Sequence, residues 1–341
     1  MRKPTLEDVA REAGVSRATV SRVVNGIRNV DPKLDEIVWR AVTKIGYVPN
    51  RAARSLVTRR SGTVALVVSD SESHDDDPFM SQFFSDPYFG RVVGGIMSVL
   101  RPAGIQLGLQ LVGTTEARTR LVGDLGQGQA DGAVVLSLHP NDTLPRQLSD
   151  AGIAAVMVGR PAEPTPISYV DLANDTGAAL AAEHLVGLGR GTIGMVTGPA
   201  HAPAAQDRDE GFRRAMARHG HAFVPAVEGN FTHDSGEKAM HRLLDENPDL
   251  DAVFVANDLM AQGALRALSE RGREVPGDVV VVGFDDSSAA LWCGPALTTV
   301  RQPFEDMAAR ATRMVLERIE NPGMRVESVI FEPELVIRQS A

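Results

Sequence analysis

The feature that most constrains the fold is the stretch 5–25, which reads T-L-E-D-V-A-R-E-A-G-V-S-R-A-T-V-S-R-V-V-N. Thr5 and Asp8 have the spacing of a capping box, and the apolar residues that follow recur on one face of a helix. Gly14 is placed to end this helix, and Ser16 is placed to begin a second one. Two short helices joined by a tight turn predict a helix-turn-helix, whose second helix lies in the major groove of DNA.

The second predicted helix has one apolar face and one small, basic face. Val20, Val23 and Val24 are expected to face inward, which leaves Arg17 and Ala18 at the exposed start of the helix. An arginine at this point can bond guanine in a bidentate manner, worth about 1–3 kcal/mol of base discrimination. The alternative is that the arginines contact phosphate only, which positions the protein without specifying sequence. The residues of this segment that we predict to contact DNA are Thr5, Ser16, Arg17, Ala18, Thr19, Ser21, Arg22 and Asn25.

A third helix and a short basic segment follow. Asp31 and Pro32 form an N-cap and a first-turn proline, and Gly46 ends the helix. The segment 51–57 is basic and has little apolar material to bury. The predicted apolar stripe of the third helix is Leu34, Ile37, Val38, Ala41 and Ile45.

The pattern T-L-E-D-V-A-x-x-A-G-V-S-x-x-T-V-S-R-V-x-N, followed by G-Y-x-P-N-x-x-A-R-x-L, resembles the lactose-repressor (LacI/GalR) family of bacterial transcription regulators. The resemblance implies that Tyr47 and Asn50 contact the DNA backbone and that Ala53 and Arg54 belong to a hinge helix. Leu56 would be a wedge in the minor groove, and the alternative is that it only anchors a weak amphipathic helix. A helix this short is expected to form only on DNA.

Charge is unevenly distributed along the chain. The first sixty residues carry thirteen Lys and Arg against six Asp and Glu, a net charge of about +7. Because the whole chain has a net charge of −9, the remaining residues carry about −16. A basic N-terminal segment on an acidic remainder is typical of a polyanion binder. The single cysteine, Cys293, excludes an internal disulfide and fits a reducing compartment. Without a membrane-length apolar run or a secretory signal, we expect a cytoplasmic protein.

After a linker near 59–62, short buried strands alternate with helices, which predicts doubly wound α/β architecture with parallel sheets. The resemblance implies two such subdomains, as in type I periplasmic binding proteins, behind an all-α helix-turn-helix domain. The predicted strands are 64–69, 106–112, 132–138, 155–159, 193–198, 252–256, 279–283 and a late pair near 298–302 and 329–337. The predicted helices are 90–100, 115–125, 177–188, 206–219, 235–247, 260–271 and 304–320.

The same resemblance sets the expected domain boundaries. The DNA-binding domain is 1–48, the hinge helix and linker are 49–61, and the ligand-binding core is 62–341. Within the core, subdomain 1 is about 62–161 and 293–322, and subdomain 2 is about 162–292 and 323–341. The hexapeptides D-G-A-V-V-L at 131–136 and D-A-V-F-V-A at 251–256 form an internal repeat of an acidic turn and a buried strand. No heptad repeat follows the last strand, so a homodimer is expected rather than a coiled-coil tetramer.

Ligands of doubly wound folds bind outside the carboxyl ends of the strands. Guanidinium, amide and carboxylate groups there can bond vicinal hydroxyls, and an aromatic face can cover a sugar ring. The alternatives are core packing for Phe231 and a structural N-cap for Asp285. The effector contacts that the resemblance implies are Arg160, Arg208, Phe231, Asn257, Asp285, Gln302 and Phe304.

Three departures from the family pattern concern the same cleft. Gly159 and Ala173 stand where the family often has aspartate, and the loop 70–87 is longer than usual. Aromatic residues of this loop could close over a larger ligand such as an oligosaccharide. His74 lies among aspartates in the loop, but a solvated acidic loop is the favoured interpretation over a metal site. We predict no metal and no cofactor.

Motifs of common enzyme classes are missing: there is no G-x-G-x-x-G after a strand, no Walker lysine loop, no G-x-S-x-G and no H-E-x-x-H. The sequence therefore predicts a regulator that binds pseudo-palindromic operator DNA and represses a carbohydrate-utilisation operon. A sugar or oligosaccharide effector in the cleft would control it. Alternatives are a purine or other non-sugar corepressor, a sugar-binding protein without a regulatory role, and an enzyme with an appended DNA-binding domain.

Overall fold

The structure is a computed structural model, and it describes residues 4–25, 30–48, 60–70, 87–137 and 141–341. The first two described ranges form a small all-α unit, and the others form an α/β core. The helices of the N-terminal unit are α1 (Leu6–Ala13), α2 (Arg17–Val24) and α3 (Pro32–Ile45).

The predicted ends of these helices are confirmed. The Thr5 side chain accepts a hydrogen bond from the Asp8 N–H while the Asp8 carboxylate accepts from the Thr5 N–H, and both bonds of the capping box are present. Gly14 ends α1 with a φ of 67°, in the left-handed region that favours glycine. Ser16 caps α2, accepting from the Thr19 N–H. Local sequence signals thus determine where each helix begins and ends.

The three helices share one apolar core, and the predicted stripe of α3 needs one correction. Val9, Val20 and Val38 are fully buried at its centre. Ile37, predicted to face inward, is 39% exposed, and Val42 is buried in its place. Val38 and Val42 are one turn apart on the same face of α3, and α3 packs on the other two helices through this face.

Among the described residues of the core, the strands form two six-stranded sheets. The first has the strand order β11-β5-β4-β3-β1-β2 and is parallel throughout. The second has the order β12-β10-β9-β8-β6-β7, in which β12 alone is antiparallel to its neighbour. The strands are β1 (Thr63–Ser69), β2 (Gln106–Val112), β3 (Gly132–Ser137), β4 (Ala155–Val158), β5 (Ser168–Leu172), β6 (Ile193–Thr197), β7 (Ala226–Glu228), β8 (Ala252–Val255), β9 (Val280–Asp285), β10 (Thr298–Arg301), β11 (Ser328–Phe331) and β12 (Glu334–Val336).

Helices cover both faces of each sheet, as parallel sheets require. In the first half α4 and α12 cover one face, and α5 and α6 cover the other. In the second half the pairs are α7 with α8 and α9 with α10. The helices of the core are α4 (Pro87–Leu100), α5 (Thr115–Gly126), α6 (Leu144–Asp150), α7 (Asn174–Gly187), α8 (Pro203–Arg218), α9 (His233–Glu246), α10 (Asp258–Glu270), α11 (Ser288–Trp292) and α12 (Phe304–Glu320).

Strand membership corrects the predicted division of the core. Residues 168–172, which form β5, were expected in subdomain 2 and lie in the first sheet, whereas β10 was expected in subdomain 1 and lies in the second. The segment 329–337 was predicted as one strand and is two, β11 in the first sheet and β12 in the second. A local apolar pattern indicates a strand but not its sheet. The chain crosses between the halves after β5, after β10 and after β11.

Candidate DNA-binding surface and effector site

The start of α2 presents the side chains predicted to contact bases. Arg17, Ala18 and Arg22 are exposed, while Val20 behind them is fully buried. Arg17 Nε lies 3.0 Å from Glu7 Oε1, and both side chains are more than half exposed. An exposed ion pair of this kind contributes little, so Arg17 can exchange Glu7 for a base or a phosphate.

The remaining predicted DNA contacts divide between capping positions and residues outside the described ranges. Ser16 Oγ lies 2.9 Å from Thr19 Oγ1, and Ser21 Oγ accepts from Asn25 Nδ2 at 3.2 Å. Tyr47 is partly buried against the core of the N-terminal unit. The predictions for Asn50, Ala53, Arg54 and Leu56 lie outside the described residues.

Arg208 organises the wall of the cleft in the second half. Its guanidinium donates from Nε to Asn174 Oδ1 at 2.9 Å, from one terminal nitrogen to the Ala256 carbonyl at 2.6 Å, and from the other to Gln302 Oε1 at 2.9 Å. It stacks 3.7 Å from the ring centroid of Phe284 and is 4% exposed. Within the described residues these hydrogen bonds use three of an arginine's five N–H donors.

The charge of Arg208 is balanced by carboxylates around it. Burial lowers the pKa of the Arg208 guanidinium, and the Asp285 carboxylate, 3.7 Å from it, acts most strongly in the opposite direction. A buried arginine is thereby held beside an acidic group that is itself only partly exposed. Planar donors and acceptors side by side suit the bidentate binding of neighbouring hydroxyls.

Asp285 and Phe231 have backbone conformations that side chains rarely adopt. Their φ angles are 112° and 67°, and Asp286 is the third such non-glycine residue in the described chain. Asp285 is the last residue of β9 and does not cap a helix, because Ser287 caps α11. Phe231 is partly buried against the core, and Asn257 Nδ2 donates to its carbonyl at 3.0 Å. Phe231, Asn257 and Asp285 therefore lie at or just beyond the carboxyl ends of β7, β8 and β9.

Arg160 and Phe304 occupy different positions from the Arg208 group. Arg160, after β4, forms a bidentate pair with Asp207 of α8, at 2.9 and 2.7 Å. This pair joins the first half to the second across the cleft. Phe304 is buried at the start of α12, with its ring 4.4 Å from that of Tyr88. The structure brings Arg208, Asp285 and Gln302 together. It engages the Arg160 side chain with Asp207, and the Asn257 amide both caps α10 and bonds the Phe231 carbonyl.

Several polar residues of the site were missed. Asn174 and Asp171 are buried, and Asn174 begins α7 directly after the unpredicted strand β5. Arg91 of α4 donates to the carbonyls of Asp285 and Gln302, at 3.0 and 3.1 Å. A polar residue after a strand was the available signal for Asn174. Nothing in the sequence around Arg91 indicates its contacts, because they depend on how the two halves meet.

Asp258 lies behind the site as a buried acid. It accepts from Thr299 Oγ1 at 2.6 Å and from the Ser287 N–H at 2.7 Å. Burial raises the pKa of the Asp258 carboxyl to about 7, against these two hydrogen bonds. The carboxyl at the start of α10 is consequently about half protonated near pH 7, where an ordinary aspartate is fully ionised.

The described helices include none that is both long and apolar enough to cross a bilayer. Residues 5–50 match the family of bacterial regulatory proteins described as the lacI family, and residues 182–341 match the periplasmic binding protein-like domain. The HTH-type transcriptional regulator CelR of Thermobifida fusca is 42% identical over 343 residues, covering 99% of this chain and 98% of the relative. The HTH-type transcriptional repressor PurR of Edwardsiella ictaluri is 32% identical over 343 residues, covering 98% and 96%.

Solved structures share the fold over the whole chain. A transcriptional regulator CelR–cellobiose complex superposes with a TM-score of 0.76 at 40% identity, covering 99% of this chain and 100% of that chain. The lac repressor dimer bound to operator and the anti-inducer ONPF superposes with a TM-score of 0.80 at 28% identity, covering 99% of each. These matches confirm the predicted fold class, a helix-turn-helix domain joined to two parallel-sheet α/β subdomains.

Proposed function

The chain belongs to the lacI family of bacterial regulatory proteins, and we propose that it is a repressor whose operator affinity is controlled by cellobiose or a close relative of it. As predicted, it is a DNA-binding transcriptional regulator and not an enzyme. The effector would occupy the cleft beside Arg208. Operator binding would take place in the cytoplasm.

The observation that carries the effector proposal is the similarity to CelR, 42% identical along essentially the whole chain. A structure of CelR contains cellobiose. The cleft chemistry supports the same ligand class. The Arg208 guanidinium and the partly exposed Asp285 carboxylate beside it suit hydroxyl pairs, and the Phe231 ring suits the apolar face of a sugar.

The DNA-binding proposal follows from the exposed start of α2. One chain offers one recognition helix, so a pseudo-palindromic operator requires two copies. The lac repressor, similar over the whole chain, is a dimer on its operator. We propose a homodimer whose two α2 helices lie in successive major grooves, with Arg17 and Arg22 on the base edges and Ser16, Thr19 and Ser21 near phosphates.

A purine corepressor is the second candidate, because relatives named PurR also match along the whole chain. The same guanidinium, amide and aromatic groups that bind a sugar can bind a purine edge and face. The two candidates differ in the sign of regulation, since a corepressor strengthens operator binding and an inducer weakens it.

Calorimetric titration of the purified protein tests the effector proposal. Cellobiose, cellotriose, glucose and hypoxanthine are the ligands, and each is also added during thermal unfolding. Ligand at a hundredfold excess over its Kd should stabilise the fold by about 2.7 kcal/mol. Binding of cellobiose supports the proposal. Binding of hypoxanthine alone replaces it with the corepressor proposal, and the absence of binding by all four ligands rejects cellobiose and its close relatives as the effector.

A further inference from the structure

The end of the linker is held by one carboxylate. Asp131, which precedes β3, accepts from the Ser61 N–H at 2.6 Å through Oδ1 and from the Gly62 N–H at 2.9 Å through Oδ2. The Ser61 hydroxyl also donates to Oδ1, at 3.0 Å. Ser61 and Gly62 directly precede β1, where the chain coming from the DNA-binding domain enters the core.

The second half contains an equivalent set of hydrogen bonds. Asp251, which precedes β8, accepts from the Gly191 N–H and the Thr192 N–H, each at 2.9 Å, directly before β6. The local strand orders also correspond, because β3-β1-β2 in the first sheet matches β8-β6-β7 in the second. The internal repeat at 131–136 and 251–256 is therefore a repeated carboxylate clamp that fixes the start of the first strand of each half.

The two clamps differ in what they hold. The Asp251 clamp holds the connection from α7 to β6, which remains within the core. The Asp131 clamp holds the last residues of the only covalent connection between the core and the DNA-binding domain. Charge-assisted bonds to backbone N–H groups are stronger than neutral ones, so each clamp is a firm anchor.

One helix joins the Asp131 clamp to the effector site. α12 begins two residues after Gln302, the acceptor of Arg208, and its 17 residues extend about 25 Å. Near its far end the Ile319 carbonyl accepts from Arg60 at 3.1 Å. A Cβ on Gly132, the residue after Asp131, would lie 2.7 Å from Val315 Cγ1, so the last turns of α12 sit directly against the clamp.

We propose that Asp131 is a positioning residue that holds Ser61 and Gly62 rigidly on the first half, and so couples the effector site to operator binding. The effector part of this proposal rests on the proposed function. The requirement of the clamp for operator binding itself does not, because it concerns only how the DNA-binding domain is attached to the core.

The test compares Asp131→Asn with the matched control Asp251→Asn. Either substitution keeps the side-chain size but replaces one acceptor oxygen by an amide nitrogen, which cannot accept from a backbone N–H. Operator affinity is measured by fluorescence anisotropy on a DNA duplex that the unsubstituted protein, called the parent, selects from random sequences. Asp131→Asn should weaken binding at least about fivefold, the lower end of typical coupling between sites, and Asp251→Asn should change it less than about twofold.

Equal operator affinity of the two variants, whether both match the parent or both fall together, overturns the proposal. Thermal unfolding of both variants controls for a general loss of stability. If Asp131→Asn does not fold, Ser61→Pro removes one of the same N–H donors from the linker side. That variant must then show the same loss, and unchanged operator affinity also overturns the proposal.

A second arm of the experiment separates the clamp from the effector. Operator affinity is measured with and without saturating cellobiose, and the ratio of the two Kd values should fall towards one in Asp131→Asn while calorimetry shows unchanged cellobiose affinity. A ratio equal to that of the parent overturns the coupling role. If the parent itself does not respond to cellobiose, the proposed effector is wrong, and the clamp is judged by effector-free operator affinity.

Discussion

The Arg208 side chain contacts several residues of the proposed effector site at once. It bonds groups that follow three separate strands, namely Asn174 after β5, Ala256 after β8 and Gln302 after β10. Planar stacking on Phe284 fixes the guanidinium in one orientation. A side chain held by this many partners is pre-organised, so little conformational entropy is lost when a ligand binds.

Replacing Arg208 with Met should weaken effector binding by at least about tenfold, since hydrogen bonds to charged groups are each worth about 1.5–3 kcal/mol. Methionine keeps part of the packing on Phe284 but donates no hydrogen bond. The control is Arg213→Met, on the same helix but bonded to Asp209 and to the Val224 carbonyl. Calorimetry with cellobiose decides the prediction, and equal Kd values for the two variants would contradict it.

Asp258 should make the stability of the core depend on pH. Its folded-state pKa, about 7, lies above the ordinary value of 3.8, so the folded protein binds this proton more tightly than the unfolded chain. The stabilisation that this bound proton gives to the folded state is complete below about pH 4, declines as the pH rises and is lost once the pH has risen through 7. Between pH 5 and pH 7 the parent should lose about 2–3 kcal/mol relative to Asp258→Asn.

Urea unfolding of the parent and of Asp258→Asn at several pH values measures this difference. The amide is tolerated because the Thr299 hydroxyl can rotate to accept from it while the Ser287 N–H keeps an oxygen acceptor. Other titrating groups are common to both proteins and cancel in the comparison. Parallel stability profiles from pH 5 to pH 8 would show that Asp258 does not titrate in this range.

At the scale of elements, local chemistry predicted whatever depends on neighbours in sequence. The caps of α1, α2 and α3 and the strands with long apolar runs were correctly located. Short elements such as β7 and α11 were missed because three to five residues give too little periodicity. The pairing of β10 and β12 depends on residues more than thirty positions apart, which no local pattern specifies.

The predicted hinge helix remains a prediction at this scale, since residues 49–59 lie outside the described ranges. Leu56→Ala should abolish specific operator binding while leaving effector affinity intact, because alanine is too short to wedge between base pairs. Leu188→Ala, at an exposed position of the core, is the control. Anisotropy on the selected duplex measures both variants, and operator affinity equal to that of the parent would eliminate the wedge.

At the scale of the whole molecule, two arginines bridge the halves of the core. Arg160 reaches Asp207 across the cleft, and Arg91 reaches the carbonyls of Asp285 and Gln302 beside the effector residues. A ligand between the halves must compete with these contacts or reinforce them. Because α12 and the Asp131 clamp belong to the first half, any change in closure moves the origin of the linker, and two copies of the chain would change the spacing of their DNA-binding domains.

The most direct test of this account is the operator affinity of the parent protein during a titration with cellobiose. Anisotropy of the selected duplex should show the Kd for DNA rising by a factor of about 5–150, the usual range of allosteric coupling. The midpoint of this rise should lie near the cellobiose concentration that equals the calorimetric Kd. An operator Kd that stays constant while cellobiose binds would contradict effector control. An operator Kd that falls would reverse its sign and make the protein a corepressor-type regulator.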